Sequence, residues 1–484
     1  MNYSDFTLSI LEIAVVTVGL AVLLVDLWTP AAEKRNLGYA AAAAVGLIFL
    51  GSLLMEAPAP RFGFNQMFVV DGLALFFKRF FLFAAVIVLI MSVEFSDRIE
   101  SGIAEYYSLI LFALSGMMFA ASANDFMLLF VSLELITVTF YILTSFQRRS
   151  LHSLEAGVKY LILGALSSAF LVYGIALIFG AANTTHFGEL LAAPRATTMK
   201  PILMLGLLLV LVGLGFKIAA FPFQIWAPDV YQGSPAPTTA FLAVGSKAAG
   251  FVLLLRVLFS AVPEITVTWT KLLMVISGVT ILYGNLCAIP QRNLKRLLGY
   301  SSIAHAGYML LGVAAMNSAG SSAILYYLGA YLFTILAAFT VICVVMRGVE
   351  GDDISAVAGL HQRSPLLAAS LSLAMISLAG IPPLAGFFGK FLLLKAVVEK
   401  GAVEPGCYWL IAVAIIGVVI SLYYYLGVVR AVYWSKGEPD ARNIQVTLPI
   451  RVALYGCIAA MFYLGLFPNR MVDIAMQAVA GLKL

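Results

Sequence analysis

Two lysines, Lys217 and Lys247, stand inside apolar runs of the stretch Gly213 to Phe251, with Pro222, Pro228, Pro235 and Pro237 between them. A lysine near the middle of a membrane helix costs roughly 2.5–3.5 kcal/mol on insertion scales, so two of them beside a proline-broken backbone call for a compensating role. Ion handling is the usual one. The bland alternative is a bent structural helix whose lysines snorkel to the interface, which suits one lysine better than two. Glu134, in Phe130-Val131-Ser132-Leu133-Glu134-Leu135-Ile136, lies about nine residues, some 14 Å, into a helix expected to start near Asp125. An unpaired carboxylate at that depth takes up a proton, so a partner such as Lys217 or Lys247 is expected, the alternative being a protonated structural carboxyl. Lysine suits proton carriage because burial disfavours its charged form, whereas arginine stays protonated at any relevant pH.

Other polar residues carry weaker signals. Lys159 follows Glu155 by one helical turn, and a local ion pair or snorkelling accounts for it. His305, in Ser301-Ser302-Ile303-Ala304-His305-Ala306-Gly307-Tyr308, is placed either to relay protons or to bond a neighbouring helix. Asp229, after Pro228, reads as a helix cap. Phe76-Phe77 and Tyr423-Tyr424-Tyr425 read as packing or interfacial belt residues.

The elements that must position these groups are membrane helices. The 484 residues are 62% hydrophobic and 11% charged, with a mean hydropathy of +1.01, which excludes a soluble domain of this size. The net charge of +5 does not indicate nucleic-acid binding, because the basic residues fall in short loops between apolar runs. Cys287, Cys343, Cys407 and Cys457 form no CxxC pair, and His152, His186, His305 and His361 are equally dispersed, so no haem, zinc or iron–sulfur site is expected. Asp5 and Glu12 stand where a signal peptide would be basic, so the first helix is expected to stay.

Apolar runs of about twenty residues give about fourteen spans, at about 7–28, 37–55, 72–94, 104–122, 125–146, 153–181, 202–221 with a half-helix to 232, 237–259, 268–289, 296–316, 321–346, 365–399, 407–434 and 448–467. The segment 365–399 is too long for one straight span, and Pro382-Pro383 divides it into two half-helices, the second carrying Lys390. The expected fold is an all-α integral membrane protein, one polytopic domain over 1–484. It would comprise three N-terminal helices (7–94), two inverted five-helix repeats (104–260 and 268–434), each with a proline-broken helix, and a C-terminal helix (448–467). Alternate loops differ in basic charge: one set holds Lys34, Arg35, Arg98, Arg148, Arg149, Arg292, Lys295, Arg296, Arg347, Arg363, Lys436, Arg442 and Arg451. The other holds only Arg61, Arg195, Lys200, Lys400, Arg470 and Lys483. The first set is expected to be cytoplasmic, and both termini periplasmic.

The stretch GFK…FPFQIWAPDVYQGSPAPTTAFLA…SK, together with SLEL around Glu134, VKYLILGA around Lys159, RNLKRLLGYSSIAHAGY from Arg292 to Tyr308 and AGIPPLAGFFGK ending at Lys390, resembles the antiporter-like, proton-translocating membrane subunits of respiratory complex I. Within that group the match is best to the subunit N branch, which includes the mitochondrial and plastid-type subunits 2. The matching segments spread from about Asp71 to about Tyr433. The resemblance implies a bacterial inner-membrane protein that couples quinone reduction to proton pumping beside other complex I membrane subunits, further antiporter-like subunits among them. It also implies that FMN, iron–sulfur clusters and quinone belong to partner subunits and that this chain holds no redox cofactor. Residue by residue, it makes Glu134 and Lys217 an ion pair, Lys247 the central proton carrier, Lys390 the exit-side carrier, and Lys159 and His305 connecting residues. Gln224 stands where many relatives carry histidine, which removes a proton role at that position alone. Two other readings stay open: a subunit of a multi-subunit Na⁺/H⁺ antiporter, and a non-pumping subunit whose charges hold helices together.

Overall fold

The computed structural model describes residues 3–57, 59–192, 200–347, 351–435 and 443–482. Helices dominate: α1 (Ile10–Asp26), α2 (Asn36–Leu53), α3 (Gly72–Phe95), α4 (Ile103–Ala121), α5 (Phe126–Thr144), α6 (Leu151–Ala182), α7 (Lys200–Ile218), α8 (Trp226–Gly233), α9 (Ala236–Phe241), α10 (Lys247–Arg256), α11 (Pro263–Ala288), α12 (Leu294–Ala315), α13 (Ser318–Val345), α14 (Pro365–Ala379), α15 (Ala385–Val403), α16 (Tyr408–Trp434), α17 (Leu448–Leu466) and α18 (Asn469–Val479). Short polar loop residues set the helix starts by accepting the first free N–H groups. Asp71 accepts from Ala74, Asp125 from Met127, Ser150 from Ser153, Asn293 from Arg296 and Asn317 from Gly320.

Among the described residues, twelve helices are long and apolar enough to cross a membrane. The fourteen expected are not confirmed by that measure, since α1 is 17 residues long and α14 and α15 are the halves of a broken helix. The window through α9 and α10 is wholly buried and those of α12 and α13 are 94% buried, whereas α2, α6 and α16 are 33% buried. The charged stretch picked out by sequence is thus the centre of the bundle, and the lipid-exposed rim lies around it. The basic residues Arg195, Lys436, Arg442 and Lys483 lie outside the described residues.

Both expected breaks occur, and in each the loosened backbone finds protein partners, as it must where no water is at hand. At the first, α7 stops at Ile218, Ala219 takes φ 57°, and the chain resumes helix at Trp226. The N–H of Ala220 returns to the Gly215 carbonyl, and that of Phe221 donates to Thr280 Oγ1 of α11, 3.1 Å away. At the second, Gly380 caps α14 at φ 85°, a conformation a side chain would resist. Pro382 and Pro383 follow, and the Gly386 N–H reaches back to Ser377 Oγ.

Four features were not anticipated. A π-helical segment, Leu242–Ser246, joins α9 to α10 and delivers Lys247, and a second, Val257–Ala261, follows Arg256. A hairpin of β1 (Arg61–Gly63) and β2 (Phe68–Val70) pairs antiparallel through a turn in which Phe64, Asn65 and Gln66 all have positive φ. The amphipathic α18 packs on α3 and α13. A fully buried ion pair also ties the N-terminal helices: Lys78 Nζ lies 2.8 Å from Glu12 Oε1, off the hydrogen-bond direction, so the pair is held by charge.

Candidate functional site

α5 and α7 bring Glu134 and Lys217 to one side of the first break, but not into the direct ion pair expected of them. Lys217, 5% exposed, donates to Thr137 Oγ1, one turn after Glu134 on α5. Thr137 in turn donates to the Leu133 carbonyl, which leaves its lone pairs facing the ammonium. The Glu134 carboxylate accepts from Ser168 of α6 instead. The Tyr160 and Phe216 rings lie 5.9 and 5.8 Å from Lys217 Nζ.

Lys247 is 3% exposed and has no carboxylate partner among the described residues. Its ammonium donates to both the carbonyl and the hydroxyl of Ser302 on α12. Tyr331 donates to the same hydroxyl at 3.0 Å, and the Tyr231 hydroxyl lies 3.0 Å from it. One serine therefore joins α8, α10, α12 and α13.

One turn beyond Ser302, His305 bonds through both ring nitrogens, Nδ1 to the Tyr327 hydroxyl and Nε2 to the Tyr425 hydroxyl at 2.9 Å. Tyr425 meets Ser301 at its other side. A neutral imidazole has one donor and one acceptor nitrogen, so one tyrosine donates to the ring while the other accepts. Moving a proton across the ring reverses the direction of the whole chain, which is what a proton relay requires. Tyr425 is buried and Tyr424 bonds Asn285, so only Tyr423, 71% exposed, fits the belt role read from the sequence.

Lys390, 5% exposed, occupies the second break. Its ammonium donates to the carbonyls of Leu378 and Ala379, at 2.8 and 3.1 Å, the last of α14. Breaking a helix frees such carbonyls and leaves partial negative charge at its C-terminal end, so the break itself supplies the lysine's partner. The Tyr308 ring lies 5.1 Å from Lys390 Nζ, and the Tyr327 ring packs on Gly389, where a Cβ would stand 2.6 Å from it. Tyr327 thereby links the histidine's surroundings to the lysine's.

Lys159 is not drawn into this line. It is 41% exposed and pairs at 2.7 Å with both Glu155 and Asp229, the first of which the sequence spacing had suggested. Asp229 is no cap: it stands within α8 and binds Lys159 and Arg296. Thr137, Ser302 and Tyr327 were given no role from the sequence, and Tyr425 was read only as a packing or belt residue; only the position of Ser302 one turn before His305 hinted at a shared face. Among the described residues no three His, Cys, Asp or Glu side chains converge as metal ligands, and the four cysteines are unpaired.

A family model described as NADH:quinone oxidoreductase/Mrp antiporter, transmembrane, matches residues 123–421, a span that includes all six candidate residues. NADH-quinone oxidoreductase subunit N of Desulforamulus reducens is 39% identical over 481 residues, 99% of each chain. A chain of respiratory complex I from Thermus thermophilus superposes with a TM-score of 0.79 at 34% identity, covering 96% of this chain and 98% of that one. A chain of the Mrp complex from Dietzia sp. has the same fold, with a TM-score of 0.82 at 20% identity over 99% of this chain and 98% of that one.

Proposed function

The chain belongs to the NADH:quinone oxidoreductase/Mrp antiporter transmembrane family, and on that premise we propose that it is the proton-translocating subunit N of a bacterial NADH:quinone oxidoreductase, in which protons move along Glu134, Lys217, Lys247, His305 and Lys390. It works as a multi-pass plasma-membrane subunit among other membrane subunits of that complex. Flavin, iron–sulfur clusters and quinone sit in the partners, and the chain itself binds none of them. Electron transfer elsewhere in the complex shifts the charge balance at Lys217, and the shift passes inward by proton exchange.

The observation that carries this reading is the partnering of the buried lysines. Lys247 and Lys390 are held by neutral oxygens alone, so each can release its proton without leaving a carboxylate charge stranded beside it. A chain built only to clamp helices has no use for unneutralised lysines. Glu134 serves as the charge that biases Lys217 through the Thr137 turn, and Glu134→Gln should therefore impair pumping more than Glu134→Asp. Lys159, half-exposed and paired twice, trims the electrostatics at the rim.

The two repeats run from 104 to 260 and from 268 to 434, each with one broken helix, at Pro222 and at Pro382-Pro383. Inversion follows from the odd number of helices per repeat. The loops with Arg148, Arg149 and Arg292, and the start of α12 with Lys295 and Arg296, face the cytoplasm, and both termini face the periplasm. Copurification tests the assignment: a tag on this chain should retrieve flavin- and iron–sulfur-containing subunits with NADH:quinone reductase activity. Retrieval of small antiporter subunits without flavin would assign it to the Na⁺/H⁺ antiporter branch.

A further inference from the structure

Between the loop after α3 and the loop joining α5 to α6 lies a cavity of about 300 Å³. Arg98, Arg148 and Arg149 line it, against a single acidic group, Glu100, that takes Arg149 at 3.0 Å. Arg148 makes no ion pair or hydrogen bond among the described residues. Ser150, also in the wall, caps α6, so the positive end of a 32-residue helix opens into the same space. Basic side chains at a membrane edge attract the phosphate of anionic lipids, and here three arginines border one hollow, with Arg148 and Arg149 exposed at its mouth.

What adjoins the cavity is apolar and outward. Leu151, Leu154, Val158 and Ile162 of α6 are 81%, 38%, 54% and 62% exposed, and their spacing makes them one stripe running down the helix from the arginines. A free phosphate would use the arginines and leave the stripe idle, whereas a lipid uses both. We propose that the cavity binds the phosphodiester head group of an anionic phospholipid against Arg148 and Arg149, with the acyl chains laid along the α6 stripe. The site is separate from the buried lysines and does not depend on their role.

The test uses the whole complex purified in detergent and a photoactivatable phosphatidylglycerol carrying its crosslinker on an acyl chain. Labelling should map to the α6 peptide from Leu151 to Ile162, be competed by unlabelled phosphatidylglycerol, and survive excess phosphatidylcholine or inorganic phosphate. The double variant Arg148→Ala/Arg149→Ala should weaken labelling roughly thirtyfold, from the usual contribution of two basic groups at an anionic surface, and the double lysine variant should restore most of it. Unchanged labelling in the alanine variant, equal competition by phosphatidylcholine, or displacement by inorganic phosphate alone would each overturn the proposal. So would a partner subunit crosslinked at Arg148 in place of lipid.

Discussion

The Lys247 ammonium donates to both the carbonyl and the hydroxyl of Ser302, two groups of one residue on the facing helix. A lysine held by a carboxylate is fixed by charge, but a lysine held by a hydroxyl and a carbonyl keeps partners whether it is charged or neutral. Neutral, it still donates to the carbonyl and accepts from the hydroxyl. Ser302 also meets Tyr331 and Tyr231, so a change at Lys247 is felt by two further hydroxyls.

Ser302→Ala should therefore assemble normally and lose coupled transport about tenfold. The loss of one hydrogen bond to a charged group, about 1.5–3 kcal/mol, sets the scale. Ser302→Thr, which keeps the hydroxyl, should retain most activity. Proton uptake in vesicles that hold equal amounts of each complex measures this; equal rates for the alanine and wild-type forms would separate Ser302 from the path.

Tyr425→Phe and Tyr423→Phe differ by two positions and should differ sharply in effect. Tyr425 completes the chain through His305 to Ser301, whereas Tyr423 faces outward. Tyr425→Phe should slow pumping to the level of His305→Ala, and Tyr423→Phe should leave it unchanged. Similar rates for the two phenylalanine variants would remove the tyrosine from the relay.

The helices and both breaks were legible in the sequence because lipid imposes a simple rule: about twenty apolar residues span, and proline interrupts. Glu134, Lys217, Lys247, His305 and Lys390 were legible for the same reason, since charge and imidazole are conspicuous in apolar surroundings. Thr137, Ser302, Tyr327 and Tyr425 were not, because hydroxyls are common in membrane helices and only the approach of α7 to α5 and the packing of α12 against α10, α13 and α16 give them their partners. Lys78 escaped notice among the phenylalanines of α3, and its counterion, Glu12, is more than sixty residues away in the chain and was read only as part of an acidic N-terminus. The expected contact of Glu134 with Lys217 failed for a related reason: spacing placed both at one depth but could not show Thr137 and Ser168 reaching them first.

The Glu12–Lys78 pair gives a stability prediction. Both side chains are essentially unexposed, so Lys78→Ala or Glu12→Ala alone leaves a buried charge and should cost about 3–5 kcal/mol. The double change Glu12→Leu/Lys78→Met removes both charges and should recover most of the loss. Thermal denaturation of the detergent-solubilised complex reports the difference; a double variant no better than either single one would argue against an uncompensated charge as the cause.

Orientation is tested in intact cells. A cysteine at Arg292 should resist a membrane-impermeant maleimide added outside and react once the membrane is opened. One at Lys200 should react from outside. Labelling of the Arg292 position in sealed cells would reverse the orientation and with it the direction of the path.

Lys247→Arg tests the central claim most directly, because arginine keeps the positive charge and the length to reach Ser302 but does not release its proton. Proton uptake and quinone reduction are to be measured together in vesicles holding the fully assembled variant complex, with a pH-sensitive dye inside. If Lys247 gains and loses a proton in each cycle, Lys247→Arg will assemble yet lose most of both activities, as Lys247→Ala does. Normal pumping by the assembled Lys247→Arg complex would contradict the account and leave Lys247 a fixed charge.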